Sequence, residues 1–177
     1  DMPSVDLLRC IDFRYLTNVI TPEEGMDILE RAAKQKDERR QRLLASGYPA
    51  YTTSAGWLGY DDETLRKSAS DARARGWRHF KLKVGRDLPD DLRRARLLRE
   101  TIGGDCQLMF DANQVWEVDE AIAWIGALAQ FDPWFIEEPT SPDDVLGHQQ
   151  IRNAISPIRV ATGEMCQNRI LFNQFLE

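Results

Sequence analysis

His79-Phe80-Lys81-Leu82-Lys83-Val84 is the stretch on which the fold turns. Side chains alternate along an extended strand, so Phe80 and Leu82 share one face while Lys81 and Lys83 share the other. Such a strand needs a core on its apolar side and a use for two cations on the opposite side. Other apolar runs end in a comparable way. Leu108-Met109-Phe110 ends in Asp111, Trp134-Phe135-Ile136 ends in Glu137, and the run 158–162 comes just before Glu164. Lys83, Asp111, Glu137 and Glu164 fall 28, 26 and 27 positions apart, an interval that fits one strand-helix unit.

Helix signals fill the gaps between these runs. Asp61-Asp62 opens a helix that ends at Gly76, and Asp87 with Pro89 opens one over 90–102, closed by Gly103-Gly104. Further helices are predicted over 118–130 and 143–155, with another from Asn168 to Leu176. Pro49 leads into a candidate first strand at 50–53, and the others lie at 78–84, 107–111, 134–137 and 158–162. Strands alternating with helices in this way signal β/α units and a parallel sheet. Upstream, a short apolar segment runs from Leu7 to Tyr15, and Thr21-Pro22-Glu23-Glu24 starts a helix expected to reach Ala45 and stop at Gly47. The predicted organisation is an N-terminal segment over 1–47, followed by a β/α region over 48–177.

Two α/β architectures accommodate that pattern, an open doubly wound sheet and a (β/α)8 barrel. No glycine-rich phosphate loop follows the first strand, as it would in a nucleotide-binding doubly wound fold. Strand ends bearing Lys, Asp, Glu and Glu fit the C-terminal rim of a barrel. The prediction is a partial TIM-type barrel of about five units, because a complete one needs roughly 250 residues. Unclosed edges invite pairing, so self-association into a homo-oligomer or aggregation is expected.

Composition narrows the function classes. A net charge of −6, from 23 Lys+Arg against 29 Asp+Glu, weighs against nucleic acid as a partner. The basic run from Lys34 to Arg42 is interrupted by Asp37 and Glu38 and reads as a solvated helix face. No apolar stretch approaches the ~18 residues of a membrane span, so no membrane partner is expected. Cys10, Cys106 and Cys166 lack zinc-finger or CxxC spacing and read as reduced thiols of an intracellular protein.

The residues at the strand ends suggest a chemistry. Two neighbouring ammonium groups disfavour full protonation, which would lower a lysine pKa toward use as a base. Each residue also has a plain structural reading: surface lysines, a turn at Asp111, a loop acid at Glu164. Their joint spacing favours a site. Three carboxylates leave about three positions of an octahedral Mg²⁺ for water or substrate oxygens. No Cys/His set points to zinc. A lysine beside such a cation suits removal of the proton next to a carboxylate, followed by loss of a neighbouring hydroxyl as water. Two rivals stay open: a metal-free Schiff-base lyase using a barrel lysine, and a shortened, non-catalytic form acting through partners.

Lys81-Leu82-Lys83, Asp111-Ala112-Asn113, Glu137-Glu138-Pro139 and Gly163-Glu164 resemble the K-x-K, D-A-N, E-E-P and G-E signatures of the enolase superfamily, mandelate-racemase-like branch. Cys10-Ile11-Asp12-Phe13-Arg14-Tyr15, Tyr48-Pro49-Ala50-Tyr51-Thr52-Thr53-Ser54 and Thr140-Ser141-Pro142-Asp143-Asp144 are similar to segments of the L-fuconate dehydratases and their eukaryotic mitochondrial relatives. That resemblance implies a Mg²⁺-dependent hydro-lyase converting a small-molecule acid sugar to a 2-keto-3-deoxy acid. It implies Asp111, Glu137 and Glu164 as metal ligands, Lys83 as base with Lys81 as its electrostatic neighbour, and Asn113 and Glu138 as supporting rim residues. It also implies a mitochondrial address in a eukaryote and a cytoplasmic one otherwise. Members carry an N-terminal capping domain and a His-Asp pair on later strands, of which this sequence shows little. His79 and His148 do not take that role: His79 lies about 13 Å down its strand from Lys83 at ~3.3 Å per residue. Dehydration by these 177 residues alone is therefore not expected.

Overall fold

The computed structural model describes residues 2–48, 50–53 and 55–177. Pro49 and Ser54, quoted above beside the candidate first strand, lie outside the described residues. The chain divides into two compact units, one formed by residues 1–49 and 166–177 and the other by residues 50–165.

The larger unit is built on four parallel strands, β1 (His79–Lys83), β2 (Gln107–Asp111), β3 (Pro133–Glu137) and β4 (Arg159–Ala161). They lie in the order β1-β2-β3-β4. Each strand pairs with its predecessor and the order never reverses, as in a barrel wall and unlike a doubly wound sheet. The first strand expected at 50–53 is reduced to one bridge between Thr52 and Phe80. Thr52 N donates to His79 O and Lys81 N donates to Thr52 O, at 3.0 and 3.1 Å.

Four helices follow the strand order: α4 (Asp62–Ala74), α5 (Leu88–Ile102), α6 (Val118–Leu128) and α7 (Val145–Ala154). Short polar side chains start three of them. Asp61 accepts from Thr64 N at 2.8 Å, Asp87 from Asp90 N at 2.9 Å and Asp144 from Gly147 N at 2.8 Å. Neighbouring helices pack α4 on α5, α5 on α6 and α6 on α7. The sheet face toward them carries Phe80, Leu82, Leu108, Phe110 and Ile136, all fully buried. By strand alternation the opposite face carries Lys81, Lys83, Met109, Asp111 and Glu137.

The smaller unit contains α1 (Ser4–Leu8), α2 (Pro22–Ala33), α3 (Lys36–Ser46) and α8 (Arg169–Leu176). The single helix expected from Pro22 to Ala45 is broken after Ala33, where the Ala32 carbonyl accepts from Gln35 N at 3.3 Å and from Arg39 Nη2 at 2.6 Å. Its start matches the sequence signal: Thr21 and Glu24 form a reciprocal capping box at 3.2 and 2.8 Å. By compactness, residues 166–177 group with residues 1–49. Polar contacts account for this: Arg169 bonds Asp12 at 3.2 Å and Asn173 bonds Tyr15 O at 3.4 Å.

Candidate active site

The register of β1 and β2 sets Lys83 directly opposite Asp111, and that of β2 and β3 sets Asp111 opposite Glu137. Three strand ends therefore bring unlike charges to one level. Lys83 Nζ donates to Asp111 Oδ2 at 2.5 Å and to Asn113 Oδ1 at 2.8 Å. Lys81, one residue pair deeper, lies 2.9 Å from the same Asp111 oxygen and also bonds Glu137. Lys81 is 4% exposed and Asp111 2%. Such desolvated ions persist because each is paired.

Both pKa directions follow from this pairing. Burial pulls the Lys81 ammonium down, but bonds to Glu137, Asp111 and Tyr51 outweigh it and its pKa is raised. Burial pushes Asp111 up, yet the bonds from Lys83 and Lys81 prevail and its pKa is lowered. The expected depression by a neighbouring ammonium is thus corrected for Lys81. Two carboxylates at contact distance exceed one like charge, so Lys81 is a fixed cation.

Glu164 is not part of this cluster. Strand β4 is only three residues long, and Glu164 follows it in an exposed turn. Among the described residues no group of three or more His, Cys, Asp or Glu side chains could hold a metal ion. Of the three carboxylates expected at the site, Asp111 and Glu137 gather round the Lys81 ammonium, while Glu164 lies in the turn after β4. That pair fits part of the donor set of a hard divalent cation: both donors are oxygens, and both already bear on one positive charge.

Asn113 and Glu138 sit where unusual backbone places them. Asn113, Gln114 and Glu138 have φ of 48, 67 and 47°, in the left-handed region. Gln114 N donates to Glu138 O at 2.8 Å, and its Nε2 donates to Glu138 Oε1 at 2.7 Å. Glu138 is buried, so these bonds tie the loop after β2 to the end of β3. Left-handed conformations cost about 1 kcal/mol or more at Gln and Glu, a strain common beside functional sites.

Sequence reasoning missed Tyr51 and Gln114. The Tyr51 hydroxyl accepts from Lys81 Nζ at 3.2 Å, and its ring centroid lies 4.6 Å from that nitrogen. Its position in the candidate first strand was the available signal. The histidines stand elsewhere: His79 tilts against Trp134 with ring centroids 6.1 Å apart, and His148 is buried on α7, its Nδ1 2.8 Å from Asp144 O. Cys10, Cys106 and Cys166 are free. Among the described residues no helix is long and apolar enough to cross a membrane.

The family described as enolase C-terminal domain-like matches residues 64–177. The human protein named mitochondrial enolase superfamily member 1 is 52% identical over 100% of this chain and 40% of its own length. Its crystal structure superposes with a TM-score of 0.94 over 99% of this chain and 40% of that one. L-galactonate dehydratase from Hypocrea jecorina is 50% identical over 99% of this chain and 40% of its own length. A racemase from Streptomyces coelicolor, solved with bound magnesium, is 38% identical with a TM-score of 0.67, covering 75% of this chain and 41% of that one. The chain thus spans about 40% of the length of the curated relatives it matches.

Proposed function

We propose that this chain, which belongs to the enolase C-terminal domain-like family, carries the proton-abstracting half of an acid-sugar dehydratase site. The observation that supports this most is the convergence of Lys83 and Lys81 on the Asp111 carboxylate at adjacent strand ends. Relatives named for acid-sugar dehydration agree with that reading.

In this account Lys83 accepts the proton from the carbon next to the substrate carboxylate. Its contacts to Asp111 and Asn113 hold the amine at the rim. Lys81 stays charged and supplies a fixed positive field for the negative charge that develops on the substrate carboxylate. Asp111 and Glu137 would hold a Mg²⁺, with Glu164 brought from its turn as third carboxylate. Such an ion, when bound, lowers the cost of a doubly charged enolate-like product. Asn113, Gln114 and Glu138 keep the carboxylate-bearing loops fixed. The substrate is a six-carbon acid sugar such as L-fuconate or L-galactonate, and the setting is mitochondrial where the source is eukaryotic.

Proton abstraction can be tested apart from dehydration. With Mg²⁺ in deuterated water, the chain is expected to wash deuterium into L-fuconate or L-galactonate next to the carboxylate, and Lys83→Met to abolish it. Absence of wash-in by the folded wild-type chain at saturating Mg²⁺ would overturn the proposal. Loss of water is not expected from the chain alone, because neither histidine stands at the rim. The standing-apart of Glu164 favours a second reading, a non-catalytic form acting through partners. Mg²⁺ titrations showing no binding to the wild-type chain would support it.

A further inference from the structure

Helix α5 carries a buried ion pair that the chemistry above does not use. Asp91 and Arg94 are 0% and 1% exposed. Arg94 Nη1 donates to Lys83 O at 2.8 Å, and its Nη2 donates to Trp57 O at 2.9 Å and Gly56 O at 3.3 Å. Asp91 Oδ2 accepts from Gly85 N at 2.6 Å, and its Oδ1 lies 3.6 Å from Arg94 Nη1. The pair therefore grips the backbone at Lys83 and again two residues later.

The gripped segment has little slack. Lys83 N donates to Gly56 O at 2.9 Å, so the same carbonyl serves the strand and the guanidinium. A Cβ on Gly56 would stand 2.2 Å from Lys81 O, which shows how closely that loop lies on β1. Gly85 has φ +106°, a conformation suited to glycine, and it aims its N–H at Asp91. Apolar residues of similar volume would pack α5 on the sheet at least as well as a desolvated ion pair does. Hydrocarbon cannot bind three carbonyls and an amide.

We infer that Asp91 and Arg94 are positioning residues, fixing the Lys83 backbone and the Gly56–Trp57 loop so that the Lys83 amine meets the acidic proton of its substrate. This rests on the reading of Lys83 as the base. The amine ends a four-carbon stem, so a small tilt of the Lys83 peptide is magnified at Nζ. A misplacement of about 1 Å can cost on the order of a hundredfold in rate.

The test is amide hydrogen exchange, read residue by residue on the chain. In Arg94→Met, exchange at Lys83 and Gly85 is expected to rise about tenfold or more, the worth of a lost charge-assisted bond, with Leu108 and Phe110 unchanged. Asp91→Asn, which keeps an acceptor for Gly85, should hold that amide better than Asp91→Leu. A uniform rise across β1 and β2, or no change at Lys83 and Gly85, overturns the inference. Should Arg94→Met fail to fold, Arg94→Lys, which keeps the charge and loses the fork, carries the same comparison. In the wash-in assay Arg94→Lys should lower the rate at saturating substrate with little change in KM. A wild-type chain that shows no wash-in defeats the dehydratase reading, while the exchange data judge the positioning separately.

Discussion

Residues 50–165 bury Phe80, Leu82, Leu108, Phe110 and Ile136 completely, whereas among the described residues of 2–48 and 166–177 only Gly25 and Asn173 are buried. Leu7, Ile11, Leu43 and Leu44 of the second region remain exposed. In the first region the strand-helix period dictates which residues meet, and the meeting builds a core. In the second, helices with caps and charges form locally and are joined by contacts such as Asp12–Arg169 and Asn18–Glu177. Stability should therefore be concentrated in the β/α region.

Truncation in the core gives the largest expected effect. Phe110→Ala should destabilise by about 3–5 kcal/mol in urea unfolding, while Leu44→Ala, at 71% exposed, should change stability by no more than about 0.5 kcal/mol. Equal losses at the two positions would break the comparison. Next is the charged layer above that core. Asp111→Ala removes one of the two carboxylates paired with the buried Lys81, together with the partner of Lys83, and should cost about 3 kcal/mol. The paired change Asp111→Leu with Lys81→Met should recover most of it, and failure to recover would mean that the ion pair itself holds the strands.

Asp91 gives a comparable effect with a pH signature. Burial pushes its pKa up to about 6 from 3.8, against the opposing pull of the Gly85 N–H and Arg94. Because the folded pKa is the higher one, protonation favours the fold. Its contribution, about 3 kcal/mol, is full below pH 3.8 and is lost as pH rises through 6. Asp91→Asn should flatten the stability profile between those limits, as urea midpoints at several pH values would show. Asp12 runs the other way: Arg14 lowers it to about 2, so acid removes its contribution to the exposed N-terminal unit. A smaller loss than in the core or the charged layer is expected at the capping box, where Thr21→Ala should cost about 1 kcal/mol and lower helicity without touching the sheet.

The same contrast explains what was legible in the sequence. The shared face of Lys81 and Lys83 follows from period-2 alternation, and strand 107–111 from the continuous apolar run Leu108-Met109-Phe110, buried throughout. The break after Ala33 was hidden because an exposed helix has no core to fix its length. Tyr51 was missed because its strand amounts to one bridge. The left-handed turns at Gln114 and Glu138 carry no glycine to announce them. The Lys81 direction depended on Asp111 and Glu137 arriving from other strands, a tertiary fact that the K-x-K spacing does not contain. Glu164 kept the expected interval, but interval alone does not set the direction of a side chain beyond a three-residue edge strand.

A crystal structure of the chain soaked with Mg²⁺ tests the central claim directly. The account predicts one ion bound about 2.1 Å from oxygens of Asp111 and Glu137, the Lys81 ammonium moved off that point, and Glu164 turned toward it. Asp111 and Glu137 still bonded to Lys81 at saturating Mg²⁺, with the ion absent or elsewhere, would contradict it.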